Sequence, residues 1–209
     1  MIDTALLIAF LASTAGAATP LVVASMGELV TERSGVLNLG MEGMMLVGAV
    51  VGFGVTLGTG QMWLGLLAAM AAGMLMSLIF GFLVLTLQTN QVATGLALTL
   101  FGIGVSAFMG RGFVGQTVER MPQLTFPLLS ELPFIGPLLF RFDAMVYASV
   151  ALVVVIGWML ARTRLGLVIR AIGESPHSAH AIGFPVIALR YGTVLFGGAM
   201  AGLGGAYLS

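Results

Sequence analysis

Long apolar runs alternate with short polar breaks along the whole chain. Six runs approach or exceed the length needed to cross a hydrocarbon layer of about 30 Å at about 1.5 Å per residue. They are Leu6–Met26, Met44–Thr59, Trp63–Leu87, Val92–Met109, Asp143–Leu160 and Ile187–Leu208. Pro20 predicts a kink in the first run, and Trp63 opens the third at the level where aromatic rings settle in an interface. The pairs Gly48/Gly52 and Gly54/Gly58 are small-xxx-small spacings that let helix backbones approach. The breaks are Gly27–Gly43, the tight turn Gln88–Gln91, the stretch Gly110–Arg141 and the segment Ala161–Pro185. Residues 132–140 are apolar but interrupted by Pro133 and Pro137, which predicts an interfacial or re-entrant piece rather than a span. If Val36–Gly43 enters the membrane with the second run, that span is a broken helix. The pattern as a whole predicts an all-α, polytopic transmembrane helix bundle, with about six spans in one domain over residues 1–209.

Ala161–Pro185 stands apart from the rest. Counting nearby Arg190, it holds four of the eight basic residues: Arg162, Arg164, Arg170 and Arg190. Ser175 followed by Pro176 is a helix start, with a side-chain acceptor at the cap and a ring whose missing N–H costs nothing at the first position. Gly183 followed by Pro185 is a helix stop. The piece between is about two turns, roughly 10 Å, so it lies on a membrane surface. The positive-inside tendency puts that surface in the cytoplasm. Alternation then places Gly110–Arg141 and the N-terminus outside, and Glu28–Gly40 and Gln88–Gln91 inside.

Composition narrows the class. Hydrophobic residues are 59% and charged residues 8% of the chain, against about 25% charged in a soluble domain. Net charge is zero, which argues against a nucleic-acid partner, and there is no cysteine to supply disulfides, thiolate ligands or a thiol nucleophile. Met1–Pro20 lacks a basic n-region and its apolar run continues to Met26, so it reads as a retained span rather than a signal peptide. The chain stops at Ser209 directly after a glycine-rich apolar run, which leads us to expect a longer protein.

Candidate chemistry is sparse. Glu28, Glu32 and Glu42 have no partnered histidine or metal-ligand spacing, and His177 and His180 read as two imidazoles on a solvated helix face. No catalytic residue, metal site or cofactor is expected, and without a G-x-x-x-x-G-K-[ST] loop the chain does not hydrolyse ATP by that route. Asn38 and Glu42 are four apart at the head of a span, where polar groups often mark a transport path; capping of a helix start is the plainer reading. Asn90 and Gln91 pose the same choice, a path or a solvated turn, while for Thr94 and Thr99 the plainer reading is a bond back to helix carbonyls.

Three stretches together resemble the inner-membrane permease of ABC importers. They are Glu-Arg-Ser-Gly-Val-Leu-Asn-Leu-Gly-Met-Glu-Gly-Met-Met (32–45), Asn-Gln-Val-Ala-Thr-Gly-Leu-Ala-Leu (90–98) and Arg-Thr-Arg-Leu-Gly-Leu-Val-Ile-Arg-Ala-Ile-Gly-Glu-Ser-Pro (162–176). The likeness runs from about residue 15 to the end. It is nearest to the nucleoside and simple-sugar branch of the group that includes ribose and branched-chain amino-acid permeases. It implies a multi-pass subunit of the inner membrane, not itself an enzyme, working by ATP-driven alternating access. The implied partners are a separate ABC ATPase, a second permease copy or paralogue, an extracytoplasmic solute-binding protein and membrane lipid. It also implies that residues 161–185 form a cytoplasmic coupling segment. Within it Arg170, Gly173, Glu174, Ser175, Pro176 and Ala179 would engage the ATPase; the expected substrate-path residues Asn38, Glu42, Asn90, Gln91 and Thr94 rest instead on their polarity at the heads of spans. The alternative from another class is an ion-coupled secondary transporter or channel using Glu42.

Overall fold

The computed structural model describes residues 4–118, 121 and 142–209. Among them the chain forms α1 (Thr4–Arg33), α2 (Met41–Thr59), α3 (Met62–Gly81), α4 (Gln91–Gly110), α5 (Ala144–Arg162), α6 (Arg164–Glu174), α7 (Pro176–Ala181) and α8 (Val186–Leu208). A π-turn, Phe82–Thr86, continues α3, and a 3₁₀ turn, Arg111–Phe113, closes α4. Six helical stretches are long and apolar enough to cross a membrane: Phe10–Arg33, Met41–Thr59, Met62–Thr86, Gln91–Phe113, Ala144–Arg162 and Val186–Leu208. These are the six expected spans, with shifted ends. The expected interfacial piece at 132–140 lies outside the described residues.

The largest shift is in α1. The polar residues from Glu28 onward predict an end near Met26, yet the helix runs almost two turns further, to Arg33. Val30 and Thr31 continue its buried face, and the Glu28 side chain turns inward to a backbone partner instead of ending the helix. The helix stops at Gly35, whose φ of +83° is the left-handed conformation glycine takes without a Cβ penalty. Val36 N–H then donates to Thr31 O and Gly35 N–H to Glu32 O, the paired bonds that satisfy a helix's last carbonyls.

The glycine-rich α8 is the centre of the bundle, packed on α1, α2 and α3, and half of its spanning window is buried. Lipid offers no hydrophobic drive for helix association, so close backbone contact between small residues has to supply the packing. A Cβ on Gly73 of α3 would collide with the Gly198 carbonyl, and one on Gly202 with the Ala69 carbonyl. A Cβ on Gly48 of α2 would come within 2.6 Å of the Gly202 Cα. The expected pair Gly48/Gly52 therefore packs helix on helix. In the other pair Gly54 seats the Phe113 ring, while Gly58 has nothing within 4 Å. The exposed side chains of α4 and α5 are mostly apolar, including Leu100, Phe108, Val150 and Val154, as a lipid-facing surface requires.

Candidate functional site

Two polar regions meet at one end of the bundle. The first is Ser34–Gly40, the link between α1 and α2, whose burial alternates residue by residue: Ser34, Val36, Asn38 and Gly40 are buried, Gly35, Leu37 and Leu39 exposed. It runs beside the first two turns of α4. Because it makes no helix, its backbone groups need other partners, and side chains from three helices provide them. Glu28 Oε1 on α1 accepts from Asn38 N–H at 2.8 Å, and Gln91 Oε1 on α4 accepts from Leu37 N–H at 2.8 Å. Thr99 Oγ1 on α4 donates to Leu39 O at 3.0 Å, and Arg190 Nε on α8 donates to Ser34 O at 3.0 Å. A short non-helical piece thus leads directly into α2, the second of the six apolar helical stretches.

Within this region the five expected path residues separate. Asn38 is 2% exposed, and its side chain is consumed internally: Oδ1 accepts from Gly40 N–H at 3.0 Å, and Nδ2 donates to Met44 Sδ at 3.6 Å. This is an Asx turn that leads the chain into α2. Gln91 is half-buried and spends its carbonyl on Leu37. Asn90 is exposed and caps α4, accepting from Ala93 N–H at 3.1 Å. Thr94 is half-buried, with its hydroxyl 2.9 Å from that of Thr89. Only Glu42, exposed in the first turn of α2, presents a free polar head to the surroundings of this chain. Glu28 was not expected here; its second oxygen, Oε2, is buried without a hydrogen-bond partner.

The second region is the segment after α5. Thr163 alone separates α5 from α6, donating to Met159 O at 2.6 Å and capping α6 through Gly166 N–H at 3.1 Å. Ser175 caps α7, accepting from Ser178 N–H at 3.4 Å, and Pro176 takes the first helical position as expected. Gly183, at φ +92°, ends the turn with Phe184 N–H donating to Ala179 O. A second helix, α6, thus precedes the expected surface helix. Of the six residues expected to engage an ATPase, Glu174 is exposed, whereas Ala179 is buried with Ile172 and Val186. Gly173 is pressed on the Arg33 carbonyl, and Ser175 and Pro176 shape the joint. Arg170 is half-buried, with an unpartnered buried Nε. The open face of α7 is instead His177, Ser178, His180 and the 73% exposed Ile182. Ile182, the residue just after α7, had a sequence signal, the one large apolar side chain following a run of small and polar ones.

The two regions are far apart in the chain and meet at one seam. A Cβ on Gly173 would collide with the Arg33 carbonyl and one on Gly35 would crowd the Gly173 Cα at 3.2 Å, and Arg190 bridges both regions, its Nη2 donating to Ile172 O at 3.4 Å while Nε holds Ser34 O. The hydroxyls of Ser34 and Thr193 meet at 2.8 Å beside it. At the opposite end of the bundle, Tyr207 donates to both carboxylate oxygens of Asp143, at 3.0 and 2.9 Å. A cavity of about 500 Å³ opens there, lined by Phe53, Thr56, Gln116, Asp143 and Tyr207.

The family model for the permease component of the branched-chain amino acid transport system matches residues 10–209. The chain belongs to this permease family. A Haloferax volcanii protein provisionally named a glucose ABC transporter permease is 46% identical over 201 residues, covering 94% of this chain and 61% of its own length. The guanosine ABC transporter permease protein of Bacillus subtilis is 35% identical, covering 90% of this chain and 63% of its own. The nucleoside ABC transporter permease protein of Lactococcus lactis is 32% identical, with the same coverage on both sides. The chain therefore spans about three fifths of the length of these curated relatives. No solved structure matches it. The matched permease region includes both polar regions and the seam between them.

Proposed function

We propose that this chain is the membrane-spanning part of a permease subunit of a binding-protein-dependent ABC importer, translocating nucleosides or simple sugars. The observation that carries the mechanism is the seam at Gly35, Gly173 and Arg190, where the surface helices touch the non-helical start of a span. Closure of a partner ATPase pushes on the two ends of α7, through Glu174 at the end of α6 and Ile182 just after α7. Ala179, Ile172 and Val186 lock α7 to α6 and α8, so the push travels as a rigid-body displacement. Arg190 and the Gly35–Gly173 contact deliver it to Ser34–Gly40, which has no helix ladder of its own to resist it. ATP hydrolysis sits on the separate ATPase chain, and a second permease copy or paralogue closes the path. The orientation in the inner membrane follows the arginines: Arg33, Arg162, Arg164, Arg170 and Arg190 share the seam end, which faces the cytoplasm.

The path runs along the open edge of Ser34–Gly40. Non-helical backbone at membrane depth persists only where protein covers it or water lines it. One edge of this segment is covered by α1, α4 and α8; the other, with Leu37, Leu39 and then Glu42, is open. Asn38 and Gln91 act behind that edge by holding its shape, Asn90 by fixing the start of α4, and Thr94 only by holding the Thr89 hydroxyl on the turn before α4. The Asp143–Tyr207 end receives solute from an extracytoplasmic binding protein.

The test is capture of the candidate ATPase by the full-length protein, read alongside uptake. Wild type should capture it, and Glu174→Ala and Pro176→Ala should not. Capture of no ATPase under any condition would overturn the importer reading. The exposed carboxylate of Glu42 would then carry the reading as an ion-driven carrier, with gradient-driven uptake lost in Glu42→Gln.

A further inference from the structure

We propose that the corner between α5 and α6 is a binding site for an anionic phospholipid headgroup, held by Arg162 and Arg164. This rests on the membrane-spanning fold and not on the importer reading. Arg162 is the last residue of α5 and Arg164 the first of α6, with Thr163 alone between them. Gly166 lies so close to the backbone of Met159 and Leu160 that a Cβ there would not fit, so α6 sits directly on the end of α5. The corner's geometry is therefore fixed by packing rather than left to a loop.

Both arginines are exposed, and neither makes a hydrogen bond or ion pair with another described residue. The only carboxylate on α6 is Glu174, at its far end, about 15 Å away along the helix axis. The charge is thus concentrated at one end of α6, with no ion pair to either arginine among the described residues. Beside it three large apolar side chains are bare: Trp158 at 62% exposure, one turn before Arg162, and Leu165 and Leu167 at 57% and 60%. Opposite them α6 buries Gly166, Ile169 and Ile172 against the bundle.

Together these meet the chemistry of a leaflet boundary. Exposed leucines are satisfied by acyl chains, an indole by the headgroup layer, and two unpaired guanidiniums by phosphate, which accepts their fork of donors. A neutral or zwitterionic headgroup carries a phosphate but no net counter-charge, so the pair selects lipids of net negative charge. A soluble anion would satisfy the arginines but leave the leucines and the indole in water. The surface assigned to the ATPase lies at the other end of α6, so lipid and ATPase do not compete for this corner.

The test uses full-length protein in nanodiscs and reads quenching of Trp158, taken as the difference from Trp158→Phe. Brominated phosphatidylglycerol is titrated against brominated phosphatidylcholine. The wild type should be quenched by the anionic lipid at roughly tenfold lower mole fraction. The double variant Arg162→Gln/Arg164→Gln should bring the two curves together, and Arg162→Lys/Arg164→Lys should retain most of the separation and so report on charge in a folded protein. Coincident curves in the wild type would overturn the proposal, as would a preference that persists in the glutamine variant. So would loss of the preference on adding excess glycerol phosphate, which would make the corner a soluble-anion site.

Discussion

The glycine core around α8 and the polar seam around Arg190 are both formed by α8, yet they hold the molecule in opposite ways. In the core, backbones touch through Gly73, Gly198 and Gly202 with no side chain between them. At the seam, the chain of Ser34–Gly40 is suspended on side-chain hydrogen bonds from Glu28, Gln91, Thr99 and Arg190. The first kind of contact has one geometry and tolerates no added atom. The second can exchange partners, because each bond ends on a side chain with rotamers to spare. Fixed framework and movable link are thus written in different residue types a few turns apart on one helix.

The core should be the easiest to break. Gly202→Leu should leave no monodisperse protein in detergent, since its side chain would occupy the Ala69 carbonyl, and overpacking by even small additions costs about 1–3 kcal/mol. Gly58→Ala, at a glycine with open space around it, should leave the melting temperature unchanged or raised, because a glycine in a helix costs roughly 0.5–1 kcal/mol relative to alanine. Equal damage from the two changes would end the distinction between them.

At the seam, function should fail before the fold does. Arg190→Gln should keep a normal elution profile and normal ATPase capture while uptake falls at least tenfold. Its two carbonyl partners lose charge-assisted bonds worth about 1.5–3 kcal/mol each. A smaller effect is expected on the docking face, where Ile182→Ala should weaken ATPase capture about fivefold, the equivalent of about 1 kcal/mol at an interface. The smallest is Thr94→Val, which removes only the hydroxyl contact with Thr89 and should change uptake by less than twofold, within about 0.5 kcal/mol.

The contrast also explains what could be read from residues alone. The six spans were legible because lipid allows little besides a continuous apolar helix, and the caps at Ser175 and Gly183 because local chemistry sets them. Gly48/Gly52 announced close packing by spacing; Gly54/Gly58, with the same spacing, brings no helix backbones together, Gly54 seating only the Phe113 ring. The seam was mostly hidden. Glu28 looked like the end of a span because its partner, the Asn38 N–H, is ten residues on. Arg190 looked like a topology signal because the carbonyls it holds belong to residues 18 and 156 positions away. Asn38 was recognisable as a polar residue at membrane depth, but an Asx turn and an exposed path residue share the same sequence. Only its burial separates them.

The alternating burial of Ser34–Gly40 makes this segment a parity counter. Adding or removing one residue ahead of Val36, with the turn at the end of α1 held, would send Leu37 and Leu39 inward and Val36 and Asn38 outward, exchanging the partners of all four. Two residues could be added with the sides preserved. Changes of two residues in this link are therefore expected to be tolerated better than changes of one, a restriction on insertions and deletions that no single side chain in it would reveal.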